Sequence, residues 1–299
     1  MHRVQYLTSA VKSVCLIVWV MTVLLSACKK PDILLQEHKQ IYVIGHGGAG
    51  FSDLSQHPPN SWTSATEAMD HYGADGVEID IQMSSDGVLF MYHDQHLEAA
   101  SFCSGCVYDW PAQALEDCIF KPRSGERAEE NITPVERLLA RYAAADRQPL
   151  IFLDLKNPLA CFPAGSAARD RYYRTALQEV SRLIDKYKAA DWVLLQSDSR
   201  EWLSYTRRHY PEIRVLLDYI KDTSDIMYAA RAGFYGVAAP GSDLSTAAAS
   251  LARQEGLKIQ LYGARLQEDM IREMEKLPDY FLTDNIPLTR RILAVAAGD

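Results

Sequence analysis

Val77-Glu78-Ile79-Asp80-Ile81-Gln82-Met83, then Ser84-Ser85-Asp86-Gly87, then Val88-Leu89-Phe90-Met91-Tyr92-His93-Asp94: two β-forming runs flank a turn. An Asp-Gly pair supplies the left-handed backbone that a tight hairpin requires. Alternation along the first run puts Glu78 and Asp80 on one side and their apolar neighbours on the other. The second run returns antiparallel. Counting back from Asp86-Gly87 sets His93 opposite Asp80, or opposite Glu78 if the loop is longer. A histidine is thereby expected at the level of two carboxylates.

Outside this hairpin, short β-branched runs alternate with amphipathic ones, the pattern of parallel βα units. Strands are expected over 41–45, 77–81, 150–155, 193–196, 215–219, 235–239, 258–262 and 280–283. Helical stretches follow most of them, at 173–187, 243–254 and 267–277 for example. Eight strands so spaced predict an α/β fold, a (β/α)8 TIM barrel, rather than an open sheet. The hairpin after strand 2 is an insertion at the barrel mouth. A second, irregular insertion spans 95–131, carries cysteines and is expected over the active face, followed by a helix over 133–145.

With 48% apolar residues in 299, the chain has ample material for a large core. A net charge of −8 and the lack of a basic stripe argue against a nucleic-acid partner. Residues 1–27 have the layout of a lipoprotein signal peptide: Arg3 and Lys12, an apolar run over 14–25, and Leu25-Ser26-Ala27-Cys28 in the manner of a bacterial lipobox. Cleavage would make Cys28 the lipidated first residue, remove two cations and no acid, and bring the charge to −10. Residues 28–39 read as a tether and 40–299 as one catalytic domain. Acyl chains on Cys28 would hold a monomeric protein at the cell envelope, facing the periplasm. Lys29 lacks the aspartate associated with inner-membrane retention, which points to the outer membrane. Cys103, Cys106, Cys118 and Cys161 remain, an even number in an oxidising compartment, with three possible pairings. Cys161 lies close behind Lys156 and is expected to bond a cysteine of the 95–131 insertion. A zinc site opened by Cys103-Ser-Gly-Cys106 would need a second Cys or His pair, and the sequence has none at a fitting distance.

The chemistry-bearing residues fall at strand ends. Glu78 and Asp80 face one way from the second strand, and Asp154 repeats the arrangement after Leu150-Ile151-Phe152-Leu153, with Lys156 beside it for a phosphate oxygen. Three inward carboxylates repel unless a proton or cation lies between them, and oxygen ligands suit Mg2+ or Ca2+. His46, in Gly45-His46-Gly47-Gly48, leaves the first strand at the same rim. With His93 it could serve as general base and general acid on a phosphodiester. Taken singly, each would read as a solvated rim residue; their coincidence carries the inference.

These motifs resemble, in order, those of the glycerophosphodiester phosphodiesterase family. Members carry His-Arg-Gly, Glu-Asn-Thr, Glu-x-Asp, His-Asp and Glu-x-Lys. This chain has His46-Gly47-Gly48, Pro59-Asn60-Ser61, Glu78-Ile79-Asp80, His93-Asp94 and Asp154-Leu155-Lys156. Ile132-Thr133-Pro134-Val135-Glu136 and Thr283-Asp284-Asn285-Ile286-Pro287 resemble further family motifs, and Tyr262 stands where the family has a tryptophan. The resemblance implies His46 and His93 as the acid–base pair, Glu78, Asp80 and Asp154 as ligands of a divalent cation, and Lys156 and Tyr262 at the substrate. Gly47 replaces an arginine, Pro59 a glutamate, and Asp154 a glutamate. The related sphingomyelinase D-type phospholipases also place Asp-x-Lys at the last position. Arg265, just past the seventh barrel strand, either supplies the missing guanidinium to the phosphate or stands as a solvated arginine at the start of the helix that follows.

Three activities fit these residues. The first is hydrolysis of small glycerophosphodiesters or related headgroup esters. The second is a phospholipase D-like lyase reaction on lysophospholipids that leaves a cyclic phosphate. The third is non-catalytic binding by a lipid-anchored barrel. An open or cyclic phosphate product separates the first two.

Overall fold

The structure, a computed structural model, describes residues 40–51, 55–122, 130–162 and 165–297. The expected signal segment, Cys28 and the expected tether lie outside the described residues. In chain order the strands are β1 (Tyr42–His46), β2 (Gly76–Met83), β3 (Leu89–Met91), β4 (Leu150–Leu155), β5 (Val193–Ser197), β6 (Arg214–Leu217), β7 (Gly236–Pro240), β8 (Lys258–Tyr262) and β9 (Tyr280–Thr283). All but β3 are parallel to their neighbours, and β1 pairs with both β2 and β9, closing an eight-stranded barrel. The expected (β/α)8 fold is therefore observed.

Helices α1 (Trp62–Asp70), α2 (Ala112–Glu116), α3 (Val135–Ala143), α4 (Ala167–Tyr187), α5 (Arg200–His209), α6 (Thr223–Arg231), α7 (Thr246–Gln254), α8 (Gln267–Met274) and α9 (Ile286–Ala297) follow in order. All except α2 belong to the outer ring. Several start where a side chain meets the free N–H groups of the first turn. Ser61, Ser166, Ser199 and Ser245 cap α1, α4, α5 and α7, and Asp222 and Asp225 form a reciprocal capping box on α6. α4 begins well before the expected 173, since the polar Ala167–Tyr172 turns precede the apolar periodicity and carry no signal of their own.

Strand alternation divides the core in two. Ile151, Leu153 and Leu155 of β4 pack outward under the helices, as do Val193 and Leu195 of β5 and Val215 and Leu217 of β6. Ile44, Phe152, Leu194, Leu216, Tyr280 and Leu282 fill the barrel itself. One step further along the same inward rows the apolar filling gives way to His46, Asp154, Gln196, Asp218 and Asp284, next to Glu78 and Asp80 of β2. The filled floor keeps water out from below and leaves the polar layer only the open C-terminal rim, where loops following parallel strands converge.

The hairpin differs from expectation by one residue. Met83 pairs with Leu89 and Ile81 with Met91, and Ser84 N donates to Val88 O at 2.9 Å. The loop is Ser85-Asp86-Gly87, not Asp86-Gly87 alone. The Ser84 hydroxyl causes the extra residue: it donates to Asp86 Oδ1 (2.7 Å) and accepts from Val88 N (2.9 Å). Gly87, with φ +90°, takes the positive-φ position of such a three-residue loop. Continued in this register, His93 would face Ile79 and point away from the barrel. Pairing stops before that, because β3 ends at Met91.

The 95–131 insertion stands on the active face as expected. Its described residues form two 3-10 turns, α2 and isolated bridges such as Ser101–Phe120 around a small core that includes Tyr92, Leu97, Val107, Leu115 and Phe120. Disulfides join Cys103 to Cys118 and Cys106 to Cys161. The second is the expected link between Cys161 and the insertion. Among the described residues of 95–131 none lines the pocket at the barrel axis, and the bond pins this part of the insertion to the loop after β4.

Candidate active site

A cavity of about 280 Å3 opens at the C-terminal rim, and its walls include His46, Glu78, Asp80, His93, Asp154, Lys156, Tyr262 and Arg265. Every expected domain residue is thus brought to one place. Glu78, Asp80 and Asp154 each offer an oxygen within 4.8 Å of the others, and all three are buried. Asp80 and Asp154 are register partners on adjacent strands, and Glu78 lies level with His46.

Lys156 does something the sequence did not reveal. Its Nζ lies 2.7 Å from Asp80 Oδ1 and 2.5 Å from Asp154 Oδ2, so it bridges the two acids. One ammonium against three carboxylates leaves excess negative charge in a buried space. Burial, reinforced by Asp80 and Asp154, raises the Glu78 carboxyl well above its ordinary range. Burial, with Asp80 and Asp218 adding and Lys156 opposing, pushes Asp154 up to about 7. Burial also acts on Asp80, but Lys156 and His93 hold it below the usual value. Burial would lower Lys156, yet Asp154, Asp80 and Glu78 keep its ammonium charged far above neutrality. Two carboxylic acids inclined to hold protons beside a third that is ionised form a set of oxygen donors that fits a hard divalent cation.

Each acid is locally fixed. The Asn60 side chain donates to Asp80 Oδ2 (2.6 Å) and accepts from Asp80 N (2.8 Å). Asn60 has φ +62°, a conformation in which asparagine is among the more tolerant residues, and its own N–H donates to Gly47 O. Gly47 N donates in turn to Glu78 Oε2 at 3.2 Å. Gly47 has φ +56°, and a Cβ there would lie 2.6 Å from the Phe51 ring and 2.9 Å from Pro59. The two motif departures, Gly47 and Pro59, therefore belong to one packing arrangement with Phe51.

His46 Nδ1 lies 2.9 Å from Asp284 Oδ1, which leaves Nε2 for the pocket. Burial pushes the Asp284 carboxyl up, but the bond and charge of His46 outweigh it and bring the group below its usual range. The Phe51 ring packs against both imidazoles, with centroids 4.4 Å from His46 and 5.7 Å from His93. His93 Nδ1 is 3.2 Å from Asp94 Oδ1; that bond, and the charge of Asp80, raise its pKa against the effect of burial. The backbone that carries His93 is held by Gln82. This buried side chain, on the same face of β2 as Glu78 and Asp80, donates to the carbonyls of Tyr92 (3.3 Å), His93 (3.3 Å) and Asp94. That grip turns His93 into the pocket where the ladder alone would not.

Sequence reading missed Gln82, Gln196, Asp218 and Tyr219 as site residues. Asp218 ends an apolar run, Val215-Leu216-Leu217, as Asp154 does, so the same inward-acid argument would have found it. Its carboxylate accepts from Tyr219 N (2.7 Å), Tyr262 OH (2.9 Å) and Gln196 Nε2 (3.2 Å). Burial raises Asp218 despite these bonds. Tyr262 thus lines the pocket with its hydroxyl already engaged. Arg265 lies in the loop between β8 and α8 at the pocket wall, close enough for its charge to act on Asp284.

A model of the glycerophosphoryl diester phosphodiesterase family matches residues 52–288. The chain belongs to that family. Membership makes it a phosphoric diester hydrolase on the expected barrel, with a candidate acidic metal site at the expected place. An uncharacterised protein of Bacillus subtilis, YqiK, is 24% identical over 250 residues, 81% of this chain and 94% of that one. A glycerophosphodiester phosphodiesterase of Caldanaerobacter subterraneus is 23% identical over 178 residues, 59% of this chain and 66% of its own. Among solved structures, an Oleispira antarctica phosphodiesterase in complex with the product sn-glycerol-3-phosphate superposes with TM-score 0.71 at 18% identity, over 84% of this chain and 96% of that one. A glycerophosphodiester phosphodiesterase from Agrobacterium tumefaciens gives 0.69 at 19% identity, over 85% and 100%. The family match starts after β1; His46, which precedes it, is brought to the site by the pairing of β1 with β2 and β9.

Proposed function

We propose that the protein hydrolyses glycerophosphodiesters, with His46 and His93 as the acid–base pair and Glu78, Asp80 and Asp154 as holders of Mg2+ or Ca2+. The observation that carries this reading is the approach of two imidazoles, each backed by a carboxylate, to one cluster of buried acids. A bound divalent cation would draw charge from the phosphate oxygens and lower the barrier to attack. The chain's own groups do the rest. His46, oriented by Asp284, offers Nε2 to a proton in the pocket. One histidine takes the proton of the attacking water while the other gives a proton to the departing alkoxide oxygen, so the site returns to its starting charge after one proton exchange with solvent. Lys156, freed from one of its two acids, and Arg265 would meet the phosphate oxygens, and Tyr262 the glycerol. The sn-glycerol-3-phosphate product named for the Oleispira antarctica structure supports a glycerol-bearing phosphodiester.

The test is an activity screen across glycerophosphodiesters, with and without Mg2+ or Ca2+, identifying the phosphate product. Glycerol-3-phosphate formed only with metal agrees with the proposal. A cyclic phosphate would move the assignment to the lyase, and metal-independent turnover would remove the carboxylate cluster from the mechanism. On the same reading the chain works at the cell envelope, anchored through lipidated Cys28.

A further inference from the structure

The N-terminal end of the barrel carries a recess of about 340 Å3, at the opposite end from the catalytic pocket. Arg214 opens β6 and Lys258 opens β8, so both stand at strand starts, and Arg207 reaches the recess from the last turn of α5. Tyr235, just ahead of β7, forms one wall, with its hydroxyl 3.0 Å from that of Tyr280. Gly233 and Gly256, which follow α6 and α7, add no side chains and keep the recess open. Three cations and no acid line it, in a chain whose net charge is −8. The catalytic pocket, by contrast, is lined by acids and cations together.

Lys258 is already engaged, with Nζ 3.0 Å from Asp279 Oδ1. Arg207 Nη1 donates to Pro211 O at 2.7 Å. The remaining donors are not so placed: Arg207 Nε, Arg214 Nε and Arg214 Nη2 are buried and have no acceptor among the described residues. Arg214 also has no carboxylate at ion-pair distance among them, and its guanidinium lies over the Tyr235 ring, 5.1 Å from the centroid. A guanidinium stacked on a ring keeps its N–H groups in the plane, directed at an acceptor along its edge. Buried N–H groups without an acceptor and a half-buried charge without a counter-charge are both unfavourable. The catalytic chemistry uses none of these groups.

We propose that this recess is a second binding site, for a phosphoryl oxyanion: inorganic phosphate, a phosphomonoester or the phosphate of a lipid headgroup. A carboxylate would be satisfied by one guanidinium. A tetrahedral phosphate has oxygens for both arginines, which meet such groups through pairs of parallel hydrogen bonds. The anion supplies the missing counter-charge and the missing acceptors once the two long side chains turn toward it, and Lys258 adds positive charge at the rim. A volume of about 340 Å3 leaves room for a substituent on the phosphoryl group. The site stands apart from the proposed phosphodiesterase chemistry and does not depend on it.

The test is equilibrium dialysis of radiolabelled inorganic phosphate against the full chain stripped of divalent metal. Without metal, the three buried carboxylates around Lys156 repel phosphate from the catalytic pocket, so binding there is suppressed. The expected result is saturable phosphate binding that Arg214→Gln weakens by about tenfold or more, through loss of a charge-assisted contact. Turnover of glycerophosphocholine and the melting temperature should stay unchanged in that variant, since Arg214 lies at the far end of the barrel. Arg207→Gln repeats the measurement should Arg214→Gln fold poorly. Vesicles of phosphatidylglycerol, compared with vesicles of phosphatidylcholine, separate the sources. Displacement of phosphate by the anionic vesicles names a lipid headgroup as the ligand, and no displacement names a free phosphate compound. No phosphate binding by the metal-free chain, or binding that both variants leave unchanged, overturns the proposal.

Discussion

At the scale of single residues, the two imidazoles and the three acids make separable predictions. His46→Ala and His93→Ala should each lower kcat by about 10²–10⁴-fold while the protein still binds Mg2+ in calorimetry; ordinary turnover by either variant takes that residue out of the mechanism. Gln82 does not itself line the pocket and acts through the backbone of His93. Gln82→Glu keeps its shape and turns a donor toward three carbonyls into an acceptor. It should lower kcat on the order of tenfold or more, with KM and metal affinity little changed, as expected for a displaced catalytic group. Asp154 and Glu78 govern the pH response of the metal-free protein. A carboxyl with a folded pKa above its unfolded value holds a proton more tightly when folded, so it stabilises the fold below about pH 4. For Asp154 that contribution is lost as pH rises to about 7. Chemical denaturation without metal should therefore show stability falling across this window, and Mg2+ should abolish the fall while releasing protons. Asp80, with its lowered pKa, works in the opposite sense and only at the acid end.

At the scale of elements, the 95–131 insertion is a small cluster fastened to the barrel by a bond across 55 residues of chain. Removing that bond with Cys106→Ser and Cys161→Ser together should cost about 2–4 kcal/mol in urea unfolding, with the insertion melting before the barrel. A single unchanged transition would show that the insertion is held by its apolar contacts alone. Most strand limits were legible because inward and outward rows alternate with period two, and several β4–β9 limits agree to the residue. The hairpin register was not. It depends on the Ser84 hydroxyl recruiting one more residue into the loop, a choice made by two hydrogen bonds that no hydrophobic pattern records.

At the scale of the whole molecule, the lipobox predicts that Cys28→Ser moves the protein from the membrane fraction to the soluble one; fractionation with the two proteins side by side decides it. The sequence by itself determined the barrel, the strand ends that bear acids and histidines, and the Cys161 link to the insertion. Each follows from local alternation, from chain order or from proximity along the chain. Only the tertiary structure decided that Lys156 bridges Asp80 and Asp154, that Asp284 orients His46, and that Gln82 holds the backbone of His93. These partners lie up to 238 residues apart, and closure of β1 onto β9 brings them together. A pattern in one segment encodes which face it presents, whereas the distance between two faces is set by the packing of all the others.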